Sequence, residues 1–325
     1  MNKILVTGGA GYIGSQTCKL LKLAGYEPVT YDNLSNGNQS FVKWGALIVG
    51  ELHDTSRLIN VLKECNPIAV IHFAASAYVG ESMADPMKYY KNNVGGSLSL
   101  LEAMHSVGID KLVYSSTCAT YGIPLQLPIS ESTLQSPISP YGQSKLMVEK
   151  IIQDLSSKGV VKAISMRYFN AAGADSACEI GELHNPETHL IPLAINSAFG
   201  GGQLEVFGLD FPTPDGTAIR DYIHVEDLAR AHILAVEYLL GGGSSDVFNL
   251  GTGQGVSVGQ IISRLRTMGV PVVTKKGVRR EGDPAHLVAD PSYANKKLGW
   301  QPIASSIDNI LTTALAWYEF QLTLK

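Results

Sequence analysis

Thr7-Gly8-Gly9-Ala10-Gly11-Tyr12-Ile13-Gly14 decides the fold. It follows a short apolar strand, Lys3–Thr7, and opens a helical pattern over 11–24 that stops at Gly25. Glycines at 8, 11 and 14 leave the backbone bare. A pyrophosphate can then approach, and the first helical turn offers it free N–H groups and the positive end of the dipole. An acid closes the next strand. Asp32 lies 18 residues past Gly14, near the spacing a ribose-binding carboxylate keeps from such a turn. Asn33 and Leu34 follow, so no Arg or Lys stands ready for a 2′-phosphate, and NAD is favoured over NADP. Strand–helix packing alone would also want these glycines. The strand–turn–helix context and the acid that follows weigh against that simpler reading.

Outward from this turn, strands alternate with helices. Residues 28–32, 46–49, 68–73, 111–115 and 162–168 read as strands, and 55–65, 86–107 and 141–159 as helices. That rhythm implies parallel βαβ units with right-handed crossovers, whose ligands sit beyond the carboxyl ends of the strands. After about Asn170 the rhythm breaks. Residues 171–187 look like an inserted loop, 191–200 a short helix, 204–207 a strand and 208–216 a run of turns. Helix returns over 225–240, strand over 246–250 and helix over 305–322. The expected architecture is α/β: a Rossmann-type, doubly wound parallel sheet with a smaller, interleaved C-terminal substrate domain. The nucleotide domain takes 1–169 with a returning segment of about 218–245, and the second domain takes 170–217 and 246–325.

Composition narrows the function. The chain has 325 residues, 45% apolar and 17% charged, enough for a sizeable core. Lys and Arg total 25 against 29 Asp and Glu, a net charge of −4. Without a basic excess, a nucleic-acid partner is not expected. No apolar run spans a bilayer, so no membrane partner is expected. Met1-Asn2-Lys3 runs directly into strand without a signal-peptide core. The four cysteines, Cys18, Cys65, Cys118 and Cys178, are scattered. Neither a disulfide scaffold nor a zinc site is expected from them, and a reducing, cytoplasmic setting is.

Chemistry is suggested at two places. Tyr141 and Lys145, in Tyr-Gly-Gln-Ser-Lys, stand four apart at the start of a helix, so phenol and ammonium share a face. A lysine cation, with a positively charged nicotinamide, favours the phenolate, which can take a proton from a sugar hydroxyl as hydride leaves. Tyr114-Ser115-Ser116-Thr117 closes the fifth strand and places a hydroxyl 24 residues before Tyr141. Each signal has a plain alternative: an ordinary helix-start tyrosine, or a Ser/Thr turn capping backbone. The nucleotide turn upstream tips both toward catalysis. Glu51 could reach the adenine end or be a solvated loop acid. Small residues in Phe73-Ala74-Ala75 suit a dinucleotide and suit packing equally.

At these residues the chain resembles the extended short-chain dehydrogenase/reductase family, and within it the UDP-glucose 4-epimerase branch. The shared segments run nearly end to end. They include TGGAGYIG at 7–14, YDNLSNG at 31–37, HFAA at 72–75, SSTCATYG at 115–122, SPYGQSKLMVE at 139–149, RYFNAAGA at 167–174, PETHLIPLAI at 186–195, DGTAIRDYIHVEDLA at 215–229 and RREGDPA at 279–285. The resemblance implies a tightly held NAD that is reduced and reoxidised within one turnover. C4 of the UDP-sugar would be inverted through a 4-keto intermediate, with Tyr141, Lys145 and Thr117 as the catalytic set. It places Gly8, Gly11, Tyr12, Ile13, Gly14, Asp32, Asn33, Glu51, Leu52, Phe73, Ala74, Ala75, Asn92, Ser115, Tyr141, Lys145 and Tyr168 at the cofactor. It places Thr117, Tyr141, Asn170, His189, Leu190, Phe207, Arg220, Arg280 and Asp283 at the UDP-sugar. It implies no metal, and a homodimer through the helices at 86–107 and 141–159.

Several positions depart from the family pattern. Ala77 stands where many members carry lysine, His189 where asparagine is common, and Leu287 at the gate that sets sugar size. With Tyr78, Ala77 also resembles the UDP-xylose (UDP-arabinose) 4-epimerases, and N-acetylhexosamine remains open. Cys118 and Ala119 follow Thr117 where the 4,6-dehydratases carry Asp-Glu, which disfavours dehydration. A non-catalytic NAD sensor on the same fold would typically lose Tyr141 and Lys145.

Overall fold

The first strand, β1 (Lys3–Thr7), buries Ile4, Leu5 and Val6 completely. Alternation sends Ile4 and Val6 into one apolar layer and Leu5 into another, as in a strand covered on both faces. The computed structural model describes residues 2–280 and 282–324. The chain continues through α1 (Tyr12–Leu23), β2 (Glu27–Asp32), β3 (Ala46–Val49), α2 (Thr55–Cys65), β4 (Ala69–His72) and α3 (Val79–Ala84). The helix expected over 86–107 has those ends but is not uniform. α4 (Pro86–Tyr89) passes through a π-helical turn, Tyr90–Gly95, into α5 (Gly96–Val107).

Next come β5 (Lys111–Thr117), α6 (Pro140–Ser157), β6 (Lys162–Tyr168), β7 (Asn170–Ala172), α7 (Leu190–Ala198), β8 (Leu204–Phe207), β9 (Ile219–His224), α8 (Val225–Leu240) and β10 (Asp246–Leu250). The large sheet is parallel throughout, in the order β10–β6–β5–β4–β1–β2–β3. Chain order reverses between β1 and β4, and there the ligand crevice belongs. α1 and α8 cover one face; α2, α5 and α6 cover the other.

The remainder is β11 (Gly255–Ser257), α9 (Val258–Thr267), β12 (Thr274–Gly277), β13 (His286–Leu287), α10 (Ser292–Leu298) and α11 (Ile307–Thr323). β9 pairs with β7, β11 and β13 in a smaller sheet. A separate core, including Ile191, Tyr222, Ile261 and Leu311, lies under it. Two expectations are corrected in detail. β10, placed with the second domain, pairs with β6 and buries Phe248 and Leu250 fully, sealing the edge of the large sheet. β9, placed in the returning segment, builds the smaller sheet.

Candidate active site

The glycines of the first turn divide their labour. Gly8 holds φ +73°, and a Cβ there would lie 2.6 Å from the Ala74 nitrogen. A Cβ on Gly14 would lie 2.2 Å from the Gly8 oxygen. Both are required by packing. Gly11 is part-exposed and caps α1 without a side chain, so the N–H groups of the first turn have no side-chain cap and stand ready for an anion. Asp32 is buried, and its carboxylate accepts from Ala10 N at 3.0 Å and Leu34 N at 2.8 Å. Those bonds aim it while leaving lone pairs for a ribose. Asn33 reaches Glu51 at 3.1 Å, bringing both expected adenine-end residues together on the surface, with Leu52 buried beside them. Tyr12 donates to the Gly173 carbonyl at 2.5 Å, tying the turn to the loop after β7. Ile13, Phe73, Ala74 and Ala75 are half-buried along the same crevice. These features fit NAD.

The catalytic floor follows from α6. Ser139 accepts from Gly142 N at 3.2 Å and Pro140 stands at the first turn, so the helix starts where Tyr141 is needed. Lys145, 2% exposed, donates to the Ser115 carbonyl at 2.7 Å. The Ser115 hydroxyl contacts that of Tyr168. Tyr89 stands edge-on to Tyr141, with centroids 6.3 Å apart. Thr117 ends β5, and Tyr141 and Lys145 stand four residues apart at the start of α6, where Lys145 is tied to the β5 backbone.

The electrostatics differ from the sequence reading. Enclosure pushes Tyr141 up to about 12, with the Thr117 hydroxyl pulling it down. The same enclosure pushes Lys145 down to about 7, against the pull of Glu149. The protein alone thus disfavours both the phenolate and the ammonium. Lys145 is not among the groups that pull Tyr141 down; burial dominates, and a cation brought in beside the phenol would favour its ionised form.

Three supports were not anticipated. His72 accepts or donates at Thr7 (2.7 Å) and Ser97 (2.9 Å), and burial pushes it down to about 3, so it is neutral. Asn93 receives Ser76 N at 2.8 Å and donates to the Ser76 carbonyl and the Ser144 hydroxyl, both at 3.0 Å, joining the end of β4 to α6. Asn92, which was expected at the cofactor, reaches the Ser76 hydroxyl at 3.2 Å. Both asparagines lie on the π-turn, which no periodicity signals. Behind the floor, Arg167 grips Glu149 through two nitrogens, at 2.9 and 2.6 Å, and Glu149 contacts Ser116. The pair Glu149 and Arg167, too far apart in sequence to show, was the clearest omission.

The substrate residues come together in couples. Arg220 donates to Asp283 at 2.6 Å, and Leu287 stands opposite Arg220 in the strand register. Arg280 lies 3.9 Å above the Phe207 ring, not free in solvent. Leu287 packs against the small apolar cluster of Cys118, Tyr121, Ile129, Phe169 and Ala289. Asn170 is half-buried on β7. Leu190 opens α7 and His189 caps it, but the His189 imidazole contacts Glu182 instead of standing free.

A seven-stranded parallel sheet, a glycine turn with an aspartate on the next strand, and a Tyr–Lys pair define an NAD-dependent enzyme acting on a sugar hydroxyl. Residues 4–251 match the NAD dependent epimerase/dehydratase family, and the chain belongs to it. A Rhizobium meliloti protein named UDP-glucose 4-epimerase is 50% identical over 97% of this chain and 96% of its own. UDP-glucose 4-epimerase from Brucella ovis, solved with NAD, is 52% identical with TM-score 0.95, covering 97% of this chain and 98% of that one. A Stenotrophomonas maltophila structure with NAD and formylated UDP-arabinopyranose is 37% identical with TM-score 0.97, covering 100% of both.

Proposed function

We propose that this enzyme interconverts UDP-glucose and UDP-galactose by inverting C4 of the sugar. The observation that supports the reading is Lys145 held on the Ser115 carbonyl at the carboxyl end of β5, four residues along α6 from Tyr141, with the Thr117 hydroxyl acting on Tyr141. The names carried by full-length relatives at half identity support the choice of reaction. NAD, when bound, supplies a reversible hydride sink. Tyr141 takes the proton from the 4-hydroxyl and returns it, and Thr117 hydrogen-bonds the reacting oxygen. Lys145, anchored by Ser115, holds the nicotinamide ribose and lends its charge. Arg220 and Arg280 grip the diphosphate, since a guanidinium fork suits phosphate. Asp283 takes the uridine ribose and Phe207 the uracil side.

In this reading the nucleotide unit takes residues 1–169 with α8 and β10, and the UDP-sugar unit takes 170–217, β9 and the rest of 246–325. Among the described residues no helix is long and apolar enough to cross a membrane, which supports a cytoplasmic enzyme. Exposed Met83, Met87, Leu98 and Met147 on α3 to α6 support a homodimer through that face. The test incubates purified enzyme with UDP-galactose, UDP-N-acetylgalactosamine and UDP-xylose without added NAD. Faster conversion of UDP-galactose to UDP-glucose than of the other two substrates to their own C4 epimers is expected; inertness toward all three, or preference for another sugar, overturns the assignment.

A further inference from the structure

The loop from Gly173 into α7 carries a cluster of which only His189 was expected at the UDP-sugar. Glu182, His184, Glu187 and His189 each present one ligand atom, and these atoms all lie within 4.8 Å of one another. We propose that they bind a divalent cation of the zinc class. The spacing Glu-x-His-x-x-Glu-x-His contains no cysteine, so cysteine counting could not find it.

Geometry and charge both point to a cation. His184 Nδ1 lies 3.0 Å from Glu182 Oε1 and 3.9 Å from Glu187 Oε1. Donors around tetrahedral zinc, at about 2.0–2.1 Å from the metal, stand about 3.3–3.4 Å apart, between those two distances. His184 Nδ1 is shut off from solvent and faces only the carboxylates of Glu182 and Glu187. Glu182 is 6% exposed at its side chain and has no Lys or Arg partner among the described residues. Elsewhere Asp175 is matched by Lys19 and Glu149 by Arg167. Glu182 has only two imidazoles, one of which, His189, already contacts it.

The frame is built before any ion arrives. The Glu182 carbonyl accepts from Trp317 Nε1 at 2.9 Å, and Glu187 accepts from His189 N at 2.8 Å. The positive end of α7 opposes a cation, but two carboxylates in direct contact outweigh a partial charge. Two imidazoles and two carboxylates select zinc, cobalt or nickel over magnesium and calcium, which take oxygen. The ion fastens the middle of the loop to the start of α7.

The experiment titrates Co²⁺ into untagged enzyme dialysed against chelator, and follows visible absorption and stoichiometry; no substrate is needed, so its outcome is independent of the epimerase assignment. One equivalent with a tetrahedral spectrum, displaced by Zn²⁺, is expected. In His184→Gln and in Glu187→Gln, affinity drops at least about tenfold. Zn²⁺ raises the melting temperature of the parent and not of the variants. Folding of each variant is checked by circular dichroism, and either one suffices. Binding well below one equivalent, or an unchanged spectrum in a folded variant, overturns the proposal.

Discussion

The crevice has a floor and a roof, and they are held by different physics. The floor, built from β1, β4, β5 and α6, is locked by buried bonds to backbone and hydroxyls: Lys145 to Ser115, Asn93 to Ser76, His72 between Thr7 and Ser97. The roof, built from loop 173–189 and the segment around 279–287, is held by charged groups on one another: Arg220 on Asp283, Arg280 over Phe207, two histidines on Glu182. Buried neutral bonds set geometry without answering to salt or ligand. Part-buried charged groups held mainly by one another can re-pair with an incoming charged substrate, as a part that must admit and release one requires.

Changes to the floor break this contrast most severely. Tyr141→Phe removes the proton acceptor, and turnover falls by about 10²–10⁴ while UDP-sugar affinity is retained; stopped assays with parallel binding titration measure both. Near-normal turnover would remove Tyr141 from its role. Glu149→Gln strands the Arg167 guanidinium, 6% exposed, and lowers stability by about 3–5 kcal/mol in denaturant melts, although neither residue touches substrate.

The pH response sharpens the comparison. Folding lowers Lys145 from 10.5 to about 7. The cost of keeping it charged is fully present below pH 7 and fades as pH rises toward 10.5, where the unfolded chain also releases the proton. In nucleotide-free protein, Lys145→Met therefore raises the melting temperature most at pH 6 and least near pH 10. A gain that does not shrink with pH contradicts the burial argument. On the roof, Arg280→Ala loses a half-exposed stack worth about 0.5–1 kcal/mol. A severalfold rise in KM for the UDP-sugar at unchanged kcat follows, shrinking with salt.

Legibility in the sequence tracked the same division. α2, β6, β8, α8 and β10 lie where periodicity put them, because their apolar residues face buried cores. The nucleotide turn, Asp32, Tyr141 and Lys145 were readable because each is a short motif whose chemistry depends on neighbours in sequence. The short strands β7, β11 and β13 were not, since two or three residues carry no period. The pairing of Glu149 with Arg167, the π-turn that seats Asn93, and the meeting of Arg220 with Asp283 were likewise silent.

By itself the order of amino acids determined the parallel sheet, the nucleotide turn and the spacing of Tyr141 and Lys145 along one helix, because strand burial, glycine conformation and helical spacing are local properties. The tertiary structure alone decided how those groups ionise. The enclosure that lifts Tyr141 and lowers Lys145 is created by residues from distant strands and helices, and desolvation exists only once they close around the site.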